Sequence, residues 1–92
     1  MVKIALITGA TSGIGEACAH LFAQQGYHLI LVGRRENLLE KIAHHLADKY
    51  AIDVKKIQAD VRDQENINYV LETLPVQWKN VDVLINNAGL SQ

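Results

Sequence analysis

The chain has 92 residues, of which 49% are hydrophobic and 21% are charged, and its formal net charge is −1. This balance is typical of a soluble globular chain that forms one small domain or part of one, and it excludes the basic stripe by which proteins bind nucleic acids or membranes. No stretch of ~20 apolar residues is present, which excludes a transmembrane helix.

The first predicted elements are a strand and a helix joined by a glycine-rich turn. Residues 2–7 form a nearly continuous apolar run, as expected of a strand buried on both faces. Residues 8–15 follow with the sequence Thr-Gly-Ala-Thr-Ser-Gly-Ile-Gly. Apolar residues then recur at the spacing of one helix face, and Gly26 is a natural left-handed cap at the end of this helix. The apolar face consists of Ile14, Ala17, Cys18, Leu21 and Phe22.

Strands and helices alternate along the rest of the chain. Three further strands are predicted, at residues 27–32, near 54–59 and at 81–85. A second helix is predicted from residue 38 to about residue 49. A third helix is predicted to begin after Asp63, its N-cap, and to end before Pro75. The order β-α-β-α-β-α-β implies right-handed crossovers and an α/β fold, a Rossmann-type doubly wound parallel sheet with strands in the order 3-2-1-4. Ligands bind such sheets beyond the carboxyl ends of the strands, at the switch point between the first and fourth strands.

The glycine-rich turn is the main candidate for a ligand site. Glycine lets the main chain approach a ligand closely, and the free amides and dipole of the following helix favour an anion. The spacing excludes a P-loop, which needs Gly-x-x-x-x-Gly-Lys-Ser/Thr, because no lysine occurs between Lys3 and Lys41. It also differs from the commonest dinucleotide fingerprint, Gly-x-Gly-x-x-Gly.

Three motifs together resemble a known family. The Thr-Gly-x-x-x-Gly-x-Gly order of residues 8–15, the Asp-Val at 60–61 and the Asn-Asn-Ala-Gly at 86–89 resemble the N-terminal cofactor-binding half of the short-chain dehydrogenase/reductases. Within that family, the NADP-dependent 3-hydroxy acid (serine/threonine-type) dehydrogenases are similar at residues 33–35, Leu74-Pro75, Trp78 and Val81-Asp82.

The resemblance implies a role for each matching residue. Gly9 would make the sharp turn, residues 10–14 would line the pyrophosphate, and Gly15 would allow helix and strand to pack closely. Asp60 would accept a hydrogen bond from the adenine amino group, and the Val61 backbone would meet the ring. A turn formed by the Asp60 side chain itself is the structural alternative.

Residues 87–89 would flank the adenosine ribose, whereas Asn86 would tie strands together. For Asn87 the alternative is an ordinary turn residue. The predicted cofactor-binding residues are Gly9, Ala10, Thr11, Ser12, Gly13, Ile14, Gly15, Arg34, Arg35, Asp60, Val61, Asn87, Ala88 and Gly89.

Arg34 and Arg35 predict which dinucleotide is bound. Enzymes that prefer NAD place an acidic residue near the end of the second strand, where it holds the ribose 2′-hydroxyl. Arg34 stands at that place, and a guanidinium donates charge-assisted hydrogen bonds to a 2′-phosphate, each worth roughly 1.5 to 3 kcal/mol. The sequence therefore predicts NADP rather than NAD. The alternative is a solvated basic turn with Glu36 nearby.

The catalytic pair of the family is not found in these residues. In the family, hydride transfer depends on Tyr-x-x-x-Lys with a serine upstream, but Tyr27, Tyr50 and Tyr69 are followed four residues later by Leu, Val and Thr. We assign no catalytic residue, metal ligand or covalent nucleophile. The resemblance implies that residues 1–92 are the truncated N-terminal part of a single NADP-binding domain, without its C-terminal catalytic part. Such a piece is expected to be inactive alone and to aggregate or bind cofactor poorly.

The full-length enzyme is expected to transfer hydride between NADP(H) and a small hydroxylated substrate, such as a 3-hydroxy acid, or a carbonyl substrate. A noncatalytic nucleotide-binding or sensor module and a purely structural domain are the alternatives. A small-molecule substrate is the expected partner, with no nucleic acid and no membrane, and a homo-oligomer would form through helices absent here. The single Cys18 and an N-terminus that begins with strand residues rather than a signal peptide predict a cytoplasmic location.

Overall fold

The computed structural model describes residues 2–87 and shows a four-stranded parallel sheet with helices on both faces. The strands are β1 (Ile4–Thr8), β2 (His28–Gly33), β3 (Val54–Gln58) and β4 (Val83–Asn86), and the helices are α1 (Gly13–Gln24), α2 (Glu36–Tyr50) and α3 (Gln64–Glu72). A short 3-10 turn, Val76–Trp78, precedes β4. The strand order is β3-β2-β1-β4, which confirms the predicted topology.

Strand register brings the carboxyl ends of the strands to one edge of the sheet. Thr8 at the end of β1 lies opposite Val32 on β2 and Asn86 on β4. Gly33 at the end of β2 lies opposite Gln58 on β3. The loops that follow all four strands therefore begin at the same edge, as parallel pairing requires.

Two apolar layers hold the sheet between its helices. Alternate residues of β1 and β2 point to opposite faces, because side chains alternate along a strand. One layer joins Ala5, Ile7, Leu29 and Leu31 to α1 and α2, and the other joins Ile4, Leu6, Ile30 and Val32 to Ile67 of α3 and to Leu74. The first two helices therefore cover one face of the sheet, and the third covers the other. Within residues 2–87, no helix has the length and apolar character needed to cross a membrane.

The ends of the helices follow the local sequence. Gly26 has φ +86°, the left-handed conformation expected after α1. Asp63 is the N-cap of α3, and its side chain accepts a hydrogen bond from the Asn66 amide at 3.2 Å. The third helix ends at Glu72, before Pro75, and Thr73 caps it, since its amide and hydroxyl donate to carbonyls of the last turn.

The buried face of α1 differs from the prediction. Ile14 and Leu21 are 54% and 61% exposed, and Ala17 is also exposed, so the expected apolar face was wrong for these three residues. The buried residues are Gly15, Ala19 and Ala23, whereas Cys18 and Phe22 pack against the core at its margin. The buried face of α1 therefore consists of small residues.

The cap of α3 can be tested by substitution. Replacing Asp63 with alanine removes the acceptor for the Asn66 amide and should lower the free energy of unfolding by about 1 kcal/mol. Urea denaturation measures this loss. Asp63→Asn keeps an acceptor and should lose clearly less, and equal losses in the two variants would contradict the cap.

Candidate functional site

A cavity of about 390 Å³ opens at the carboxyl ends of β1, β2 and β3. It is lined by Gly9 and residues 11–13 after β1, by residues 33–35 at the end of β2, and by Ala59 and Val61 after β3. The sheet order places these loops side by side, although they are far apart in sequence. The cavity therefore lies at the edge where the sequence predicts a ligand site.

The glycine loop is held by hydrogen bonds around the carbonyl oxygen of Gly9, a residue with φ +63°. Ser12 Oγ donates to this oxygen at 2.9 Å and accepts from the Gly15 amide at 3.1 Å. Asn87 Nδ2 donates to the same oxygen at 3.1 Å and to Ser12 Oγ at 2.8 Å. The Ser12 hydroxyl thus uses its one donor and both acceptor positions inside the protein.

Three backbone amides of this loop remain available. The N–H groups of Thr11, Gly13 and Ile14 make no hydrogen bond within residues 2–87, whereas Ala10 donates to the Val32 carbonyl at 3.0 Å. The first amides of a helix have no partner inside the helix, and the positive end of its dipole lies with them. This end of α1 is therefore built to bind an anion such as a phosphate.

Gly15 has no room for a side chain. A Cβ at this position would lie 2.1 Å from the Gly9 carbonyl oxygen and 2.9 Å from Asn87 Nδ2. Gly13, by contrast, has nothing within 4 Å of an added Cβ. The close packing expected of Gly15 is present, and it is a contact between backbone and backbone.

This difference predicts opposite results for two alanine substitutions. Gly15→Ala should push the first turn of α1 away from Gly9, lower the melting temperature by several degrees and abolish anion binding at the loop. Gly13→Ala is the matched control, and its melting temperature should stay within a degree or two of that of the unmodified protein. Thermal unfolding followed by circular dichroism makes the comparison, and similar melting temperatures in the two variants would contradict the contact.

Arg34 and Arg35 bring positive charge to the cavity. Both are exposed and line it, and Arg35 is the N-cap of α2. Neither guanidinium forms an ion pair in the described part of the chain, with Glu36 or any other carboxylate. No carboxylate of residues 2–87 therefore occupies these donors, and the alternative of a solvated basic turn stays open beside that of a ligand anion.

Asp60 forms the turn that was its structural alternative, because its carboxylate accepts from the amide two residues later, and it also pairs with the Arg62 side chain, which the sequence reasoning missed. Its carboxylate accepts from Nε and Nη2 of Arg62, at 2.7 to 3.1 Å, and from the Arg62 amide at 2.9 Å. These side-chain and backbone hydrogen bonds lower the pKa of Asp60 from 3.8 to about 2. The Asp-x-Arg spacing in a turn was the available signal.

The pKa of Asp60 can be measured by NMR titration of its carboxyl carbon. A midpoint near 2 is expected in the protein, and Arg62→Ala should return it toward 3.8. Because the folded pKa is depressed, the ion pair contributes stability above about pH 4 and loses it as the pH falls toward 2. An unchanged midpoint in Arg62→Ala would contradict the assignment.

Two asparagines at the end of β4 connect this strand to β1 and to the glycine loop. Asn87 is 1% exposed, and its backbone N–H donates to Thr8 Oγ1 at 3.0 Å. Thr8 Oγ1 in turn donates to Asn86 Oδ1 at 3.1 Å, which ties β1 to β4 as expected of Asn86. The predicted contact of Asn87 with a ribose stays a prediction. Ala88 and Gly89 lie outside the described residues, so their predicted contacts also stay predictions.

The structure divides the predicted site residues into two groups. Those around the cavity are Gly9, Thr11, Ser12, Gly13, Arg34, Arg35 and Val61. Those of the described residues that do not line it are Ala10, Ile14, Gly15, Asp60 and Asn87. The side chain of Ala10 is buried in the core and that of Ile14 faces outward. Gly33 and Ala59, which also line the cavity, were missed because neither carries a functional side chain.

Other titratable groups lie away from this cavity. His20 Nδ1 is 2.8 Å from the Tyr50 hydroxyl, and the His20 ring lies 5.6 Å from the ring of His45. This cluster joins α1 to α2, a proximity that sequence spacing did not reveal. Within residues 2–87, no group of three or more His, Cys, Asp or Glu residues is placed to hold a metal ion.

Comparison with known proteins identifies the family. The family described as short chain dehydrogenase matches residues 3–92. The chain belongs to the short-chain dehydrogenase family. Among curated members of this family, the NADP-dependent 3-hydroxy acid dehydrogenase of Shigella flexneri is 43% identical over 88 residues, which is 96% of this chain and 34% of that protein. This confirms both resemblances, the broad one and the narrower one.

Two further relatives show how much of the family fold is covered. Sulfoacetaldehyde reductase 2 of Chromohalobacter salexigens is 44% identical over 91 residues, 99% of this chain and 35% of that protein. The structure of L-sorbose reductase from Gluconobacter frateurii, complexed with NADPH and L-sorbose, matches with a TM-score of 0.87 and 39% identity over 96% of this chain and 34% of that one. The chain therefore spans about a third of the length of the relatives it matches.

Proposed function

We propose that this chain is the NADP-binding portion of an oxidoreductase that transfers hydride between NADP(H) and a small hydroxylated or carbonyl compound, with 3-hydroxy acids as the favoured substrate class. One observation carries the proposal: Arg34 and Arg35, which form no ion pair within residues 2–87, line the same cavity as the glycine loop. The relatives support it, since they are named as a 3-hydroxy acid dehydrogenase, a sulfoacetaldehyde reductase and an L-sorbose reductase.

The described residues fit the adenosine half of NADP. The free amides of Thr11, Gly13 and Ile14 can bind the pyrophosphate, and the guanidinium of Arg34 can bind the 2′-phosphate. Val61 lies beside the cavity where the adenine ring would pack. NADP supplies the hydride carrier, whereas these residues bind and orient the other end of the molecule.

Hydride transfer at the nicotinamide needs residues other than those that we assign to the adenosine half of NADP. None of the three tyrosines is followed four residues later by lysine. We therefore propose that these 92 residues do not catalyse hydride transfer by themselves. We also propose that the intact enzyme acts as a homo-oligomer in the cytoplasm. A noncatalytic sensor is less well supported, because the relatives compared above are named as dehydrogenases and reductases.

Calorimetric titration of the intact protein with NADPH and NADH tests the proposed cofactor. NADPH should bind more tightly than NADH. Arg34→Asp should weaken NADPH binding roughly 10- to 100-fold, because it removes charge-assisted hydrogen bonds and adds a repelling carboxylate. The affinity for NADH should change little.

Lys41→Asp provides the matched control, since it makes the same change of charge at an exposed position of α2 that does not line the cavity. It should leave both affinities within about twofold of the original. Equal affinity for the two cofactors in the unmodified protein, or an unchanged NADPH affinity in Arg34→Asp, would refute the proposed cofactor.

A further inference from the structure

A second cavity, of about 200 Å³, lies at the amino ends of the strands, the edge of the sheet opposite to the candidate site. Because the strands are parallel, their amino ends meet at this edge as their carboxyl ends meet at the other. The two cavities share no lining residue. The second cavity is lined by Val2 and Ile4 at the start of β1, His28 at the start of β2, Asp53 before β3, and Gln77 and Trp78 of the 3-10 turn.

Trp78 supplies an aromatic wall for this cavity. Its side chain is half-buried and packs against the apolar layer that contains Ile4 and Ile30. The core therefore holds the ring in place before any ligand arrives. Among aromatic side chains, tryptophan attracts a cation most strongly, because the faces of its ring carry negative partial charge.

Asp53 gives the same cavity a carboxylate. Its backbone is fixed on both sides, since its N–H donates to His28 Nδ1 at 2.7 Å and its carbonyl accepts from the Leu29 N–H at 3.1 Å. A ring nitrogen that accepts a hydrogen bond carries no proton. The approach of His28 Nδ1 to the Asp53 carboxylate, at 3.9 Å, is therefore not an ion pair, and His28 does not neutralise this charge.

The charges around the cavity are negative. No lysine or arginine of residues 2–87 lines it. Lys3 lies between two lining residues, but its Nζ is 5.9 Å from the centre of the Tyr27 ring, which packs on the other face of the sheet. The Asp82 carboxylate accepts from the Ile4 N–H at 2.8 Å and forms no ion pair with the described residues. This balance favours a cation over an anion.

We propose that this cavity is a second ligand site, which binds a small organic cation built on one flat ring, with the ring against Trp78 and the positive charge toward Asp53. Contact with an aromatic ring and a charge-assisted hydrogen bond to a carboxylate together recognise such a ligand. The site is independent of the proposed function, because it uses none of the residues assigned to NADP.

Three probes of nearly equal shape test the proposal. Benzamidine, benzamide and benzoate carry a positive charge, no charge and a negative charge on the same ring. In titrations of the intact protein, benzamidine should quench the Trp78 fluorescence saturably, with the millimolar dissociation constant typical of so small a ligand. Benzamide should bind more weakly, and benzoate should not quench. Trp78→Phe keeps an aromatic ring against the core and identifies the emission that belongs to Trp78.

Asp53→Asn removes the charge and keeps the backbone hydrogen bonds. Because this carboxylate is 83% exposed, benzamidine should bind only about two- to fivefold more weakly, and benzamide should bind as before. Asp48→Asn is the matched control, since Asp48 is an exposed residue of α2 that lines neither cavity. It should leave the benzamidine affinity unchanged. Calorimetry with saturating NADP⁺ present should also show an unchanged benzamidine affinity.

Four results would overturn the inference. These are the absence of saturable quenching by benzamidine, equal affinity for the three probes, an unchanged benzamidine affinity in Asp53→Asn, and displacement of benzamidine by NADP⁺. Equal affinity would indicate nonspecific apolar contact, and displacement would place the probe in the cavity at the other edge of the sheet. None of these results bears on the preference of the protein for NADPH, which the titrations of Arg34→Asp test separately.

Discussion

The carbonyl oxygen of Gly9 is the point on which the candidate site depends. It accepts hydrogen bonds from Ser12 Oγ and Asn87 Nδ2, and it lies where a side chain at position 15 would otherwise be. These contacts join the end of β1, the start of α1 and the residue after β4. They hold the first turn of α1 beside the cavity, and they exclude any side chain at position 15.

The electrostatics of the site follow from which charges are already paired. Asp60 would place a negative charge near a cavity that is built for phosphates, but Arg62 binds its carboxylate through two nitrogens. Arg34 and Arg35 have no such partner in the described chain. The amides without partners and these two guanidinium groups are therefore the positive groups that residues 2–87 place at the cavity without a paired carboxylate, as the proposed binding of a dinucleotide requires.

Backbone requirements of the site were predictable from the sequence, whereas side-chain directions were not. Gly9 and Gly15 are in the places their motif implies, because a positive φ and a close backbone contact each exclude other residues locally. The motif did not indicate that the side-chain nitrogen of Asn87 braces the loop through the Gly9 carbonyl and Ser12 Oγ, and its expected contact with a ribose stays a prediction. The apolar spacing likewise did not reveal that α1 turns Gly15, Ala19 and Ala23 toward the core and leaves Ile14 exposed.

The sequence by itself determined the alternation of strands and helices, the strand order and the anion-binding character of the loop after β1. These follow from short-range rules, namely apolar periodicity, capping residues and the handedness of crossovers. Only the tertiary structure decided that Ser12 is a brace of the loop and that the Thr11 side chain lies beside Gly33. Each of these depends on which side chains fill a shared volume after folding, and residue spacing along the chain does not specify that.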